Sequence, residues 1–173
     1  MEAIQTIYLE SDVSSVTFSS LGSYEHLQLR IMTIGNAYNA LKNGTFYLNG
    51  DTTDSNYHRQ YMQGGSSTTF SASSTGSSMW GLVSKADCTP NYGPAIIDIL
   101  DYRNPNKNTT LTSFYGGTHP NGGSPDPYLQ FVTSVWDNTA AVTSILLCPQ
   151  GGPEQYNGFT RGSSFTLYGL ASS

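Results

Sequence analysis

The carboxylates that could carry chemistry fall in two pairs. Asp51 and Asp54 stand in Asn49-Gly50-Asp51-Thr52-Thr53-Asp54, and Asp98 and Asp101 lie in the run Ile96-Ile97-Asp98-Ile99-Leu100-Asp101. Oxygen-rich loops hold Ca²⁺ through a dense series of ligands such as the EF-hand's, and no such spacing occurs in either pair. Turn chemistry is enough to explain the first pair. An aspartate after Asn-Gly accepts a hydrogen bond from the backbone two residues on, which predicts an Asx turn at Asp51 and another at Asp54. No metal or cofactor site is expected.

Asp98 shares a strand face with Ile96 and Leu100, so it is expected to point towards apolar neighbours. A buried carboxylate without partners costs several kcal/mol, so backbone amides or a Ser, Thr or Tyr hydroxyl should satisfy it. A catalytic acid at this position would need a second acid and a cleft, and the sequence identifies neither. His26, His58 and His119 have no metal-ligand spacing, and no GxSxG elbow or P-loop is present despite 18 glycines. No enzyme is expected. Cys88 and Cys148, far apart in sequence and outside any CxxC or Cys/His pattern, are read as buried thiols, with pairing between them left open.

Aromatic residues offer the most serious binding chemistry. Trp80, Tyr92, Tyr115, His119 and Trp136 stand near Asn, Asp and Gly. Exposed rings beside such residues make stacking platforms for glycans, and sandwich folds often carry them in loops. The competing reading, preferred for Trp80 and Trp136, places these rings in the core or at a subunit interface, because aromatics dominate both.

The elements that must position these residues read as strands. Apolar residues recur with period two in short runs bounded by Gly, Ser, Asn, Asp and Pro. The runs are Ala3 to Leu9, Ser14 to Phe18, Tyr24 to Thr33, Gly44 to Leu48, Tyr57 to Gln63 and Thr68 to Ala72. They continue with Met79 to Ser84, Pro94 to Tyr102, Thr109 to Tyr115, Tyr128 to Trp136, Ala141 to Cys148 and Ser163 to Leu170. A helix through Tyr24, Leu27 and Ile31 is the weaker reading, since no capping signal precedes it. Gly64 to Ser78 reads as a mobile loop around one polar strand. Short strands at this spacing without a long helix predict an all-β fold, an antiparallel jelly-roll-like β-sandwich, as one domain over residues 1–173.

Composition narrows the function further. Charged residues make up 11% of the chain, against roughly 25% in ordinary soluble domains, so neutral polar groups must cover the surface. The net charge of −5 and the 7 Lys and Arg leave too little cation to neutralise phosphates, which argues against nucleic-acid binding. No apolar run is long enough to span a bilayer as a helix. Met1 to Glu10 is acidic and alternating where a signal peptide would be basic and then apolar, so synthesis in the cytoplasm is expected. Lysines and inward charges normally defend exposed sheet edges, and here they are scarce. Coverage by sister subunits is therefore expected, with coverage by the chain's own loops as the alternative.

Five stretches, in order along nearly the whole chain, carry a resemblance. They are Ser15-Val16-Thr17-Phe18-Ser19-Ser20 with Tyr24-Glu25-His26-Leu27-Gln28-Leu29; Leu48-Asn49-Gly50-Asp51 with Ser55-Asn56-Tyr57; Ile96 to Tyr102 with Asn106-Lys107; Asn138 to Ile145; and Gly162-Ser163-Ser164-Phe165-Thr166-Leu167-Tyr168-Gly169-Leu170. In these the chain resembles the structural proteins of tailed-bacteriophage virions, a group of capsid decorations, tail appendages and fibre tips. The resemblance implies a β-rich particle component, often trimeric, with no catalytic residues to carry over. The Gly- and Pro-rich stretch from Tyr115 to Asp126 has no counterpart in it.

A tail fibre would be expected to begin with an attachment segment and shaft, whereas strands here start almost at Met1. The simpler expectation is a capsid decoration or cement protein, a homotrimer bound to the major capsid protein in the virion. The alternative is a tail-fibre or tail-tip subunit that binds a host receptor such as a glycan.

Overall fold

The computed structural model describes residues 1–34, 43–65, 69–76, 79–83, 92–121, 124–149 and 158–171. The described chain is all β, with one 3₁₀ turn at Asp54–Asn56. The first six strands are β1 (Glu2–Tyr8), β2 (Val16–Phe18), β3 (His26–Thr33), β4 (Asn43–Leu48), β5 (Tyr57–Gly65) and β6 (Thr69–Thr75). The others are β7 (Met79–Val83), β8 (Gly93–Leu100), β9 (Thr109–Asn121), β10 (Ser124–Trp136), β11 (Ile145–Pro149) and β12 (Ser164–Leu170). Each expected run corresponds to one of these strands. The alternative helix is absent, since the Leu27, Leu29 and Ile31 stripe is the inner face of β3, while Gln28 and Arg30 look outward.

Pairing makes the fold a jelly roll. With the hairpins β5–β6 and β9–β10 set aside, the remaining strands pair outermost with outermost. β1 joins β12, β2 joins β11, β3 joins β8 and β4 joins β7, all antiparallel. That is one long two-stranded ribbon, rolled so that successive pairs fall alternately in two sheets, β1-β12-β3-β8 and β2-β11-β4-β7. The two hairpins then widen the first sheet to eight strands in the order β1-β12-β3-β8-β9-β10-β5-β6, opposite a second sheet of four.

Alternation along each strand fills the space between the sheets. Phe165 and Leu167 of β12, Ile97 and Ile99 of β8, and Phe46 and Leu48 of β4 are fully buried, together with Phe18, Leu147 and Phe159. Phe159 and Phe165 contact with ring centroids 5.1 Å apart. β7, at the edge of the small sheet, lies across β8, β9, β10 and β5 and so covers part of the widened inner face. β4 is buried along its whole length, so this strand is covered on both faces, whereas Thr17 of β2 in the same sheet is exposed.

The described residues of the unmatched stretch from Tyr115 to Asp126 belong to two strands. β9 and β10 stay in unbroken antiparallel register from Trp136↔Thr109 to Ser124↔Asn121. β8 accompanies β9 only as far as Tyr115, and β5 joins β10 only from Tyr128 onward. Among the described residues, the end of the hairpin therefore extends past β8 and β5 as a two-stranded arm. Prolines are tolerated at strand positions that have no ladder bond to lose. The segment Gly64 to Ser78 likewise contains an ordered polar strand, β6, which is paired to β5 from Gly64↔Thr69 to His58↔Thr75.

Candidate functional site

The candidate acids are engaged within the fold. Asp51 Oδ1 accepts the backbone N–H of Thr53 at 3.0 Å, the expected Asx turn. Its Oδ2 accepts Asn56 Nδ2 at 2.8 Å and Trp136 Nε1 at 2.9 Å. Burial pushes this carboxyl up, but the bonds from Asn56, Trp136 and Thr53 outweigh it and hold the group below the usual carboxylate range. The Tyr57 hydroxyl donates to the Asp51 carbonyl at 2.6 Å and accepts Leu48 N–H at 3.1 Å, while burial pushes the phenol up. Asp54 opens the 3₁₀ turn as its acidic first residue. Asp51 thus works as a structural acceptor joining two chain segments.

Asp98 does share a face with Ile96 and Leu100, but that face is the outer one. The expectation of a buried carboxylate is corrected: Asp98 is half-buried and accepts Gln28 Nε2 at 2.8 Å across the β3–β8 pair. At one end of the sheet Glu25, His26 and Asp101 bring ligand-type atoms within 4.8 Å of one another. Part of their capacity is already used. His26 Nδ1 accepts Asp101 N–H at 3.0 Å, and Asp101 Oδ2 holds the Lys107 ammonium, which keeps that carboxyl low.

The suspected aromatics separate. Tyr115 and Trp136 are buried, at 0% and 1% exposure. Tyr115 is therefore corrected as a stacking platform and Trp136 takes the core position preferred for it, because the alternation of β9 and β10 turns both into the sandwich. Tyr115 donates to Asn43 Oδ1 at 3.1 Å and meets Gln130 Oε1, and Gln130 Nε2 reaches Gln63, a polar chain across β4, β9, β10 and β5. Tyr92 is half-buried and donates to the Arg161 carbonyl at 2.9 Å, clasping the turn at Gly162. Trp80 and His119 belong to the backbones of β7 and β9, and their side chains lie outside the described residues, as does Cys88. Cys148 is a buried free thiol, raised by burial against an opposing hydrogen bond from Thr45. The five aromatics do not converge on one surface site among the described residues.

What the fold does assemble is a surface. On the outer face of the large sheet the register lines up Met62 of β5 with Phe131 of β10, Phe131 with Phe114 of β9, and Phe114 with Ile96 of β8. These side chains are 59%, 40%, 53% and 44% exposed, and Leu129 stands beside them at 50%. Their exposed parts amount to roughly 500 Å² of apolar surface, at the upper end of what a typical monomer shows in one patch. The inner face of the same strands, by contrast, buries Ser113, Gln130 and Ser134 among its apolar residues.

The patch is also nearly free of charge. The described outward positions of β8, β9, β10, β5 and β6 carry one carboxylate, Asp98, one imidazole, His58, and no lysine or arginine. Arg30, further along the same row on β3, lies over the Tyr168 ring at 5.4 Å. Gly64, Thr69 and Ser71 floor a shallow groove walled by Met62, Leu129 and Phe131.

Sequence reasoning did not single these residues out, although a signal was present. In Tyr128 to Trp136 and in Ile96 to Leu100, apolar residues occupy both strand faces, which is the pattern of a strand covered on two sides. No protein-family model matches the chain, and no curated protein or solved structure is similar enough to it to count as a match.

Proposed function

We propose that this protein is a non-catalytic structural subunit of a tailed-bacteriophage virion, a decoration or cement protein that binds the major capsid protein of the assembled shell as a homo-oligomer, with a trimer the expected state. The observation that supports this reading best is the uncharged row Met62-Phe131-Phe114-Ile96 on the open side of a jelly roll. A face of that size and polarity is poorly suited to permanent contact with water and well suited to burial against another subunit. The resemblance to virion proteins supplies the particle. A subunit that binds only the completed lattice stabilises it by mass action, because whatever binds the assembled state alone shifts the equilibrium towards it.

Electron microscopy of purified virions tests the reading. Copies of the jelly roll resolved on the shell are the expected result. Density confined to the tail, with a bare shell, would transfer the protein to the tail appendages.

A further inference from the structure

We infer that the row Met62-Phe131-Phe114-Ile96 is covered by another copy of this same chain. The inference rests on reading the protein as an assembly subunit and names the partner of its apolar face.

Three features of that face favour a sister molecule. The first is size. The row and Leu129 alone supply roughly 500 Å², more than half of the roughly 800 Å² per partner of a stable interface. The second is charge. The chain carries a net charge of −5, so copies brought together on an average surface repel. This face carries one carboxylate, Asp98, already bonded to Gln28 at 2.8 Å, so two such faces meet with little like-charge opposition.

The third feature is relief. The bulky row stands between small ones, with Gly64 and Gly116 flanking Leu129 on one side and Thr133 and Thr112 on the other. Ridges with shallow margins from several copies can interlock about a common symmetry axis, two-fold or three-fold. The phenylalanines at its centre are the residue class that anchors interfaces.

Sedimentation of the full chain across a dilution series decides the matter. The wild type should sediment as a closed oligomer at micromolar concentration. Phe114→Asp and Phe131→Asp should each weaken association by about thirtyfold or more, the loss of an interface anchor, with the circular dichroism of the monomer unchanged. Met62→Lys provides the same test at a third position, should an aspartate variant fold poorly. Tyr8→Ser, on the far edge strand of the same sheet, should leave association as it is.

A wild type that stays monomeric at 100-fold higher concentration overturns the inference, and so does an oligomer indifferent to both phenylalanine substitutions. A monomer that still binds shells through Phe114 would overturn the choice of partner and leave the assembly reading standing. An oligomer dependent on Phe114 that binds no particle would do the reverse.

Discussion

Trp136 Nε1 donates to Asp51 Oδ2 at 2.9 Å, a bond between residues 85 apart in sequence. It ties the last residue of β10 to the turn that follows β4, and the same carboxylate holds Asn56 and Thr53. The indole is buried, so its N–H has little other access to a partner.

Asp51→Ala should therefore destabilise the fold by about 1–3 kcal/mol, since it leaves a buried donor unmet. The melting temperature should fall by roughly 2–4 °C for each kcal/mol at this chain length. Thermal unfolding followed by tryptophan fluorescence and circular dichroism checks it.

The same carboxyl sets a pH dependence. Its folded-state pKa lies below the ordinary value, so its contribution is complete above the unfolded carboxyl pKa of about 4 and is lost as pH falls through the depressed folded value. Urea midpoints measured from pH 7 down to pH 2.5 should show an acid decline that is shallower in Asp51→Asn. A decline of equal steepness in the variant would assign the acid sensitivity to other groups.

Asn49 has φ 53 and accepts Thr143 N–H at 2.7 Å and Ser144 N–H at 3.2 Å while donating to the Ala141 carbonyl at 2.9 Å. Asn49→Gly keeps the left-handed backbone accessible and removes those bonds, whereas Asn49→Ala loses both. Chemical denaturation should rank wild type above Asn49→Gly and Asn49→Gly above Asn49→Ala, with the glycine variant down by about 1–3 kcal/mol.

Two glycines should differ in how much they resist a methyl group. A Cβ at Gly81 would lie 2.3 Å from Phe46 Cε2, and Phe46 is fully buried with no room to retreat. A Cβ at Gly169 would lie 2.2 Å from Tyr24 ring atoms, but Tyr24 is half-buried and can swing outward. Gly81→Ala should cost about 1–3 kcal/mol through overpacking. Gly169→Ala should cost less and be relieved by Tyr24→Ser, a double-mutant cycle that equilibrium unfolding can read.

Cys148 should resist alkylation in the folded protein, because it is buried and its thiol is raised above the usual range. Iodoacetamide labelling resolved by peptide mass should modify it rapidly only in denaturant.

Much of the fold was legible because strand grammar is local. The inward stripe Leu27, Leu29, Ile31 and the ending Phe165-Thr166-Leu167-Tyr168-Gly169 show their period in the chain itself, and each became a strand in the expected place. The Asx turn at Asp51 was legible for the same reason, since its acceptor and donor are two residues apart. The arm from Gly116 to Pro127 was missed because glycine and proline ordinarily mark loops, and only the long-range register of β9 with β10 reveals the strands.

The sequence alone determined where the chain is extended, how little charge covers it and which residues alternate. Tertiary structure decided which of two apolar faces became the core. In Tyr128 to Trp136 the set with Tyr128, Val132 and Trp136 and the set with Leu129, Phe131 and Val135 are both apolar, and period two is unchanged if they are exchanged. Only the packing of the small sheet against one side turned Trp136 towards Asp51 and left Phe131 beside Phe114 in the open. The choice depends on what lies across the sheet, which no local pattern contains.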